Sequence, residues 1–134
     1  MRDPYPLHAH ALSSNSAQAR VRNLFYLLKA ERLCEDRWRL PGGALLYGNL
    51  DDFVHRVDRV KQIEEWAIER QAAELGEDEL RIDVTYNGVG WAASITPLLT
   101  NSFKYESGTK PTEAMARIEV LIAYFNDEMA DSQT

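Results

Sequence analysis

Two alternating segments flank an Asn-Gly dipeptide, and that arrangement leaves few folds open. Leu80-Arg81-Ile82-Asp83-Val84-Thr85-Tyr86 alternates apolar and polar, Asn87-Gly88 suits a type I′ turn, and Val89 to Thr96 alternates again. An antiparallel hairpin is therefore expected. A two-residue turn at Asn87-Gly88 sets Tyr86 opposite Val89, Val84 opposite Trp91, Ile82 opposite Ala93 and Leu80 opposite Ile95, all on one apolar face. Arg81, Asp83 and Thr85 fall on the other face, opposite Ser94, Ala92 and Gly90. A slip of one residue would carry Trp91 to the polar side, so turn and pattern support each other.

Phe103 and Tyr105 alternate with Ser102, Lys104 and Glu106 in an expected third strand, broken by Ser107-Gly108. Pro111 at or near the first helical position opens the last helix, with a core stripe of Met115, Ile118, Leu121, Ile122, Phe125 and Met129. Val120, Ala123 and Tyr124 lie outside that stripe. A helix apolar over more than one face is buried on two sides or carries an interface, so these three residues are the candidates for a homodimer contact.

Upstream, Asn49 followed by Asp51 and Asp52 caps a helix whose stripe runs Leu50, Phe53, Val57, Val60, Ile63, Ala67 and which Leu75-Gly76 closes. From Leu50 to Leu75 it would be about 39 Å long at 1.5 Å per residue, against about 23 Å for the strands, so it would overhang the sheet. Asn15-Ser16-Ala17-Gln18 resembles a capped helix start, with Val21, Leu24, Phe25 and Leu28 at helical spacing and an end expected near Cys34. Residues 37–47, punctuated by Pro41-Gly42-Gly43 and Gly48, fit a hairpin or a compact loop equally well. The expected fold is α+β in the order α-α-β-β-β-α: a short antiparallel three-stranded sheet packed by the long helix and the C-terminal helix. Residues 1–14 read as a flexible arm, 15–129 as a single domain and 130–134 as a frayed tail.

A chain of 134 residues, 45% hydrophobic, builds a core without metals or disulfides, in keeping with its single cysteine. No apolar run reaches the length of a membrane span and no signal-peptide stretch follows Met1, so a soluble protein of a reducing compartment, the cytoplasm, is expected, with no membrane partner. The net charge of -6 is unevenly laid out. Residues 1–76 carry 11 acidic and 11 basic groups, whereas 77–134 carry 10 acidic and 4 basic. Direct nucleic-acid binding starts at a disadvantage on that balance. Its best route is a basic strip over residues 20–39, made by Arg20, Arg22, Lys29, Arg32, Arg37 and Arg39.

No catalytic set of residues is specific. A reactive cysteine needs a basic neighbourhood, and Cys34 is followed by Glu35 and Asp36, which leaves a Cys34–His55 pairing poorly supported. His8 and His10 offer two ligands where zinc usually takes four. Asp51, His55 and Asp58 sit at i, i+4 and i+7 and are the best metal-dependent alternative, although a solvated helix face accounts for the same spacing. Gly42-Gly43 and Gly88-Val89-Gly90 read as turns, since neither lies between a strand and a following helix as a phosphate cradle would. Trp91, Phe103 and Tyr105 could form a base-stacking platform, but Trp91 shares its face with core residues. No metal, catalytic residue or cofactor is assigned. The remaining candidate is an acidic run, Glu64, Glu65, Glu69, Glu74, Glu77, Asp78 and Glu79, which would present a surface complementary to a basic protein.

The order helix, three strands, helix over residues 50–129 resembles that of double-stranded RNA-binding domains. Where that family has a lysine-rich start to its last helix, Thr109-Lys110-Pro111-Thr112-Glu113 has one lysine. A second likeness covers residues 80–129: a strand with Gly90-Trp91-Ala92-Ala93-Ser94-Ile95, a polar interval, and Pro111-Thr112-Glu113-Ala114-Met115-Ala116-Arg117 opening an apolar helix. It is similar to small phage-encoded accessory proteins of the ABA-sandwich type. That resemblance implies a protein without catalysis that binds and disables a host or defence complex, anti-CRISPR activity included. The expected function is thus a non-enzymatic protein-binding module acting by occluding a basic surface, with nucleic-acid binding through residues 20–39 as the alternative.

Overall fold

A computed structural model describes residues 9–75, 80–97 and 104–132, with side chains described over 16–70, 80–97 and 104–127. The class is α+β, as expected, but with two three-stranded antiparallel sheets rather than one. The elements run α1 (Ala9–Leu28), β1 (Glu31–Cys34), β2 (Arg37–Arg39), β3 (Leu45–Tyr47), α2 (Leu50–His55), α3 (Val57–Leu75), β4 (Leu80–Tyr86), β5 (Trp91–Pro97), β6 (Tyr105–Glu106) and α4 (Glu113–Ser132). The sheet orders are β1-β2-β3 and β4-β5-β6.

Helix α1 buries Val21, Leu24, Phe25 and Leu28, as its spacing predicts, but both its ends differ from expectation. It starts at Ala9, so residues 9–14, assigned to the arm, are helical, while residues 1–8 lie outside the described residues. It stops at Leu28 because Lys29 turns left-handed at φ 61°. The Ala30 N–H then donates to the Phe25 carbonyl at 2.9 Å and the Lys29 N–H to that of Tyr26 at 3.1 Å, a Schellman closure. The residues released, Glu31–Cys34, become β1 of a first sheet completed by the 37–47 segment. Trp38 and Leu46 face each other across β2 and β3 on its buried side. The Phe25 ring meets Trp38 at 4.6 Å and Phe53 at 5.1 Å, and the Trp38 Nε1–H donates to the Gly48 carbonyl at 3.0 Å.

The expected continuous helix over 50–75 is two helices. Asn49 and Asp52 form a reciprocal capping box at the start of α2. At Arg56 the backbone is extended (φ -112°, ψ 113°): its N–H closes α2 on the Asp52 carbonyl, and its own carbonyl accepts the first bonds of α3 from Arg59 and Val60. No proline or glycine marks the break. Its guanidinium pairs with Asp58 at 3.2 Å, which places a carboxylate in the first turn of α3, at the positive end of the helix dipole. The change of direction lets Phe53 and Val54 of α2 and Val60, Ile63 and Ala67 of α3 be buried together. The expected overhang on the hairpin sheet does not arise, because α3, about 28 Å long at 19 residues, packs mainly on α2, α4 and β3 and leaves the β4–β6 sheet to α4.

In the second sheet the turn is centred one residue later than Asn87-Gly88. Tyr86 pairs with Trp91, Val84 with Ala93, Ile82 with Ile95 and Leu80 with Pro97. Because every partner moves by two positions, each side chain keeps its expected face. The cause is the Asn87 side chain, whose Oδ1 accepts from the Val89 and Gly90 N–H groups, both at 2.9 Å, and holds the loop around Gly88 at φ 91°. Val89 stands at the tip, 86% exposed, instead of opposite Tyr86. Gly90 is required by what lies over it: a Cβ there would sit 2.6 Å from the Lys110 carbonyl oxygen, where Trp91 and Lys110 exchange backbone hydrogen bonds. Gly90→Ala is expected to cost about 1–3 kcal/mol by forcing the Trp91–Lys110 backbone pairing apart, read as a lowered midpoint in urea unfolding. An unchanged midpoint would show that Lys110 yields freely.

Helix α4 is the element that both halves share. Thr112 caps it, its Oγ1 accepting from the Met115 N–H at 3.2 Å, so Pro111 lies just before the cap rather than in the first turn. Its expected stripe, Met115, Ile118, Leu121, Ile122 and Phe125, is buried; the Met129 side chain lies outside those described. Val120 and Tyr124 are buried too, at 0% and 2% exposure, and Ala123 is partly covered. This corrects their assignment to a homodimer contact: α4 packs on α1, α2 and α3 and also on β5 and β6, so its surplus apolar faces are covered within the chain. Arg20 adds a tie between α1 and α4 through two hydrogen bonds to Glu119, at 2.7 and 2.9 Å.

Candidate partner-binding groove

The acidic run does not form one surface. Glu64 faces inward from α3 and is 5% exposed, with Arg117 Nη1 at 2.7 and 2.8 Å from its two oxygens. Arg117 also donates from Nε to Glu113 at 3.0 Å, giving a two-carboxylate, one-guanidinium cluster between α3 and α4. Burial pushes the Glu64 carboxyl above its ordinary range, against the pull of Arg117. Glu64 is therefore a core residue and leaves the set of partner-binding candidates. Glu74 lies in the last turn of α3 with its side chain outside those described, and Glu77, Asp78 and Glu79 lie outside the described residues.

Glu65 and Glu69 remain, exposed and one helical turn apart, with Trp66 between them. They edge a groove between α3 and the β2–β3 turn, formed of two adjoining depressions of about 410 and 250 Å³ that share Trp66 and Glu69. Its apolar lining is the half-buried Trp66 on one side and Pro41, Ala44 and the 41%-exposed Leu45 on the other. Arg70 sits over the Trp66 ring at 5.6 Å, and Phe125 supports that ring from within the core at 6.0 Å. The Gln62 side-chain amide closes one end by bonding to the Tyr47 N–H at 3.0 Å and carbonyl at 2.9 Å, as a neighbouring strand would. The bonds from Leu40 N–H to the Ala44 carbonyl and from Gly48 N–H to the Asp36 carbonyl show which residues of this strand face β2. By alternation Leu45 directs its own N–H and carbonyl outward, toward the groove.

The other candidates are placed as follows. His55 Nε2 lies 3.5 Å from Asp51, but the break at Arg56 puts Asp58 on the next helix, paired with Arg56, so the i, i+4, i+7 set does not share one face. Among the described residues no group of three His, Cys, Asp or Glu side chains is arranged to hold a metal ion. The Cys34 thiol is exposed and contacts Asp36. His8 and Phe103 lie outside the described residues, and the side chain of His10 is not among those described. Trp91 packs on Tyr86 at 5.2 Å, while Tyr105 packs on Tyr124 at 5.4 Å and donates to Asp127.

In the basic strip Arg20 is held by Glu119 and Arg39 by Glu31, Arg32 lies over Trp38, and Arg37 lies over Tyr47, while Arg22 and Lys29 are exposed. A shallow depression on the outer face of the second sheet has two carboxylates, Asp83 and Glu106, paired with Arg81 and Lys104. No described helix is long and apolar enough to cross a membrane. The groove's aromatic floor was missed in the sequence because Trp66 lies off the stripe of its helix and Leu45 belongs to a segment whose placement only tertiary packing decides. No family model, curated protein or solved structure matches this chain, so the groove's own chemistry is what bears on function.

Proposed function

We propose that this chain is a protein-binding module whose groove between α3 and the β2–β3 turn receives a partner segment with an apolar side chain flanked by Lys or Arg. The observation that carries the reading is the pair of exposed carboxylates, Glu65 and Glu69, beside an open apolar depression lined by Trp66 and Leu45. An apolar side chain would remove Trp66 and Leu45 surface from water, while the carboxylates select positive neighbours and steer their approach. The outward backbone groups of Leu45 could align an extended segment. A host or defence complex with a basic surface, the target implied by the likeness to phage accessory proteins, has the matching charge.

Selection from a random peptide library on the full chain tests this. Recovered sequences are expected to place Lys or Arg beside an aliphatic or aromatic residue. Their affinity should fall roughly tenfold or more in Glu65→Lys/Glu69→Lys, and raised salt should weaken binding. Peptides that bind this double variant as tightly as the parent would place the site elsewhere and overturn the reading.

A further inference from the structure

Among the described residues, strand β4 has β5 on one side and no strand on the other. Its free edge can be read from the hydrogen bonds across the sheet. Trp91 exchanges backbone bonds with Lys110, and Ala93 accepts from the Ser107 N–H, so the odd-numbered residues of β5 face β6. The even-numbered residues of β5 therefore face β4, where they meet Arg81, Asp83 and Thr85. Leu80, Ile82, Val84 and Tyr86 are left directing their N–H and carbonyl groups outward. The strand is seven residues long, pairs with β5 without a register shift, and contains no proline or glycine. It lacks the bulges and prolines that commonly blunt an edge. Its inner face is also incompletely covered: Ile82 and Val84 are half-buried and Tyr86 is 58% exposed.

We propose that this edge pairs with the same edge of a second copy, antiparallel and centred on Ile82, to form one continuous six-stranded sheet. The charges select the register. Centred on Ile82, Arg81 of each copy lies opposite Asp83 of the other, the two residues that already meet at 3.1 Å within one strand. Centring on Arg81 would oppose two arginines, and centring on Asp83 two aspartates. Registers displaced by one residue would put apolar side chains against polar ones. In the selected register Ile82 faces Ile82 and Leu80 faces Val84, with about six backbone hydrogen bonds across the two-fold axis. The Arg81–Asp83 pairs fall at the closer, non-hydrogen-bonded positions, where cross-strand side chains interact best. The contact also shields Ile82 and Val84 from water.

Sedimentation of the full chain over a micromolar range, with reductant because Cys34 is exposed, reads the oligomer directly. The expected result is a species of twice the chain's 15.3 kDa, reduced to the single mass by Arg81→Asp. The swapped variant, Arg81→Asp with Asp83→Arg, should regain the dimer because each cross-strand pair re-forms with its sign reversed. A parent chain that stays monomeric, or a dimer that Arg81→Asp leaves intact, overturns the proposal. Should Arg81→Asp fail to fold, the swap decides, its dimer supporting the β4 edge and its single mass opposing it. Hydrogen exchange gives an independent reading: concentration-dependent protection at Ile82 and Val84 supports the edge, and protection confined to other elements sinks it.

Discussion

Arg117→Met is expected to lower the unfolding free energy by about 3–5 kcal/mol, because it strands a buried carboxylate without its cation. Glu64 and Arg117 have side chains only 7% and 12% exposed, so water cannot replace the lost bonds. Set against a typical domain stability of about 5–15 kcal/mol, the loss is a large fraction of the whole. Glu64→Leu combined with Arg117→Met removes the two most buried charges, leaves Glu113 at 28% exposure to be solvated by water, and is expected to recover most of the deficit, since an apolar pair of similar volume replaces an ion pair with little net cost. Urea unfolding of the parent, the single and the double variant measures all three. The deficit of the single variant should also shrink as the pH falls. Burial already holds the Glu64 carboxyl above its ordinary range, and a group whose folded-state pKa is raised binds its proton more tightly when folded. Acidification through that raised value therefore favours the fold. A loss under about 1 kcal/mol at neutral pH would mean that Glu64 reaches water.

Phe53→Ala should be comparably severe, at about 3–5 kcal/mol, for a different reason. The ring is fully buried in α2 and packs edge-on against Phe25, which in turn meets Trp38. Removing it opens a cavity where α1, α2 and the first sheet converge. Near-ultraviolet circular dichroism, dominated by the packed aromatics, is expected to weaken along with the unfolding midpoint, and amide exchange should quicken first in β2 and β3. A midpoint shift without faster exchange there would mean that α2 alone absorbs the loss.

The parts of the fold legible in the sequence are those set by local periodicity. The buried stripe of α4, the inward face of α1 and the alternating faces of β4 and β5 all follow from spacing alone. What was not legible depends on groups distant in sequence or on a single backbone choice. Lys29 turns left-handed without being glycine, and this converts the expected tail of α1 into a strand. Arg56 breaks a helix that its apolar stripe would have continued, through a carbonyl and a guanidinium that both serve the next helix. The hairpin register was displaced because an asparagine side chain accepted bonds assigned to a two-residue turn. For the site, the contrast between Glu64 and Glu65 is the clearest case. Adjacent glutamates on a helix look alike in sequence, but about 100° of rotation separates a core ion pair from a groove edge.

Helix α4, packed on α1, α2 and α3 and on the strands β5 and β6, also sets an order of events. It follows every other described element in the chain, so during synthesis the second sheet emerges before the helix that buries it exists. The β4–β5 hairpin can form on a microsecond timescale as it appears, but its apolar face stays wet until the last helix is made. Consolidation is thereby deferred until α4 has been made, when contacts spanning most of the described residues form together.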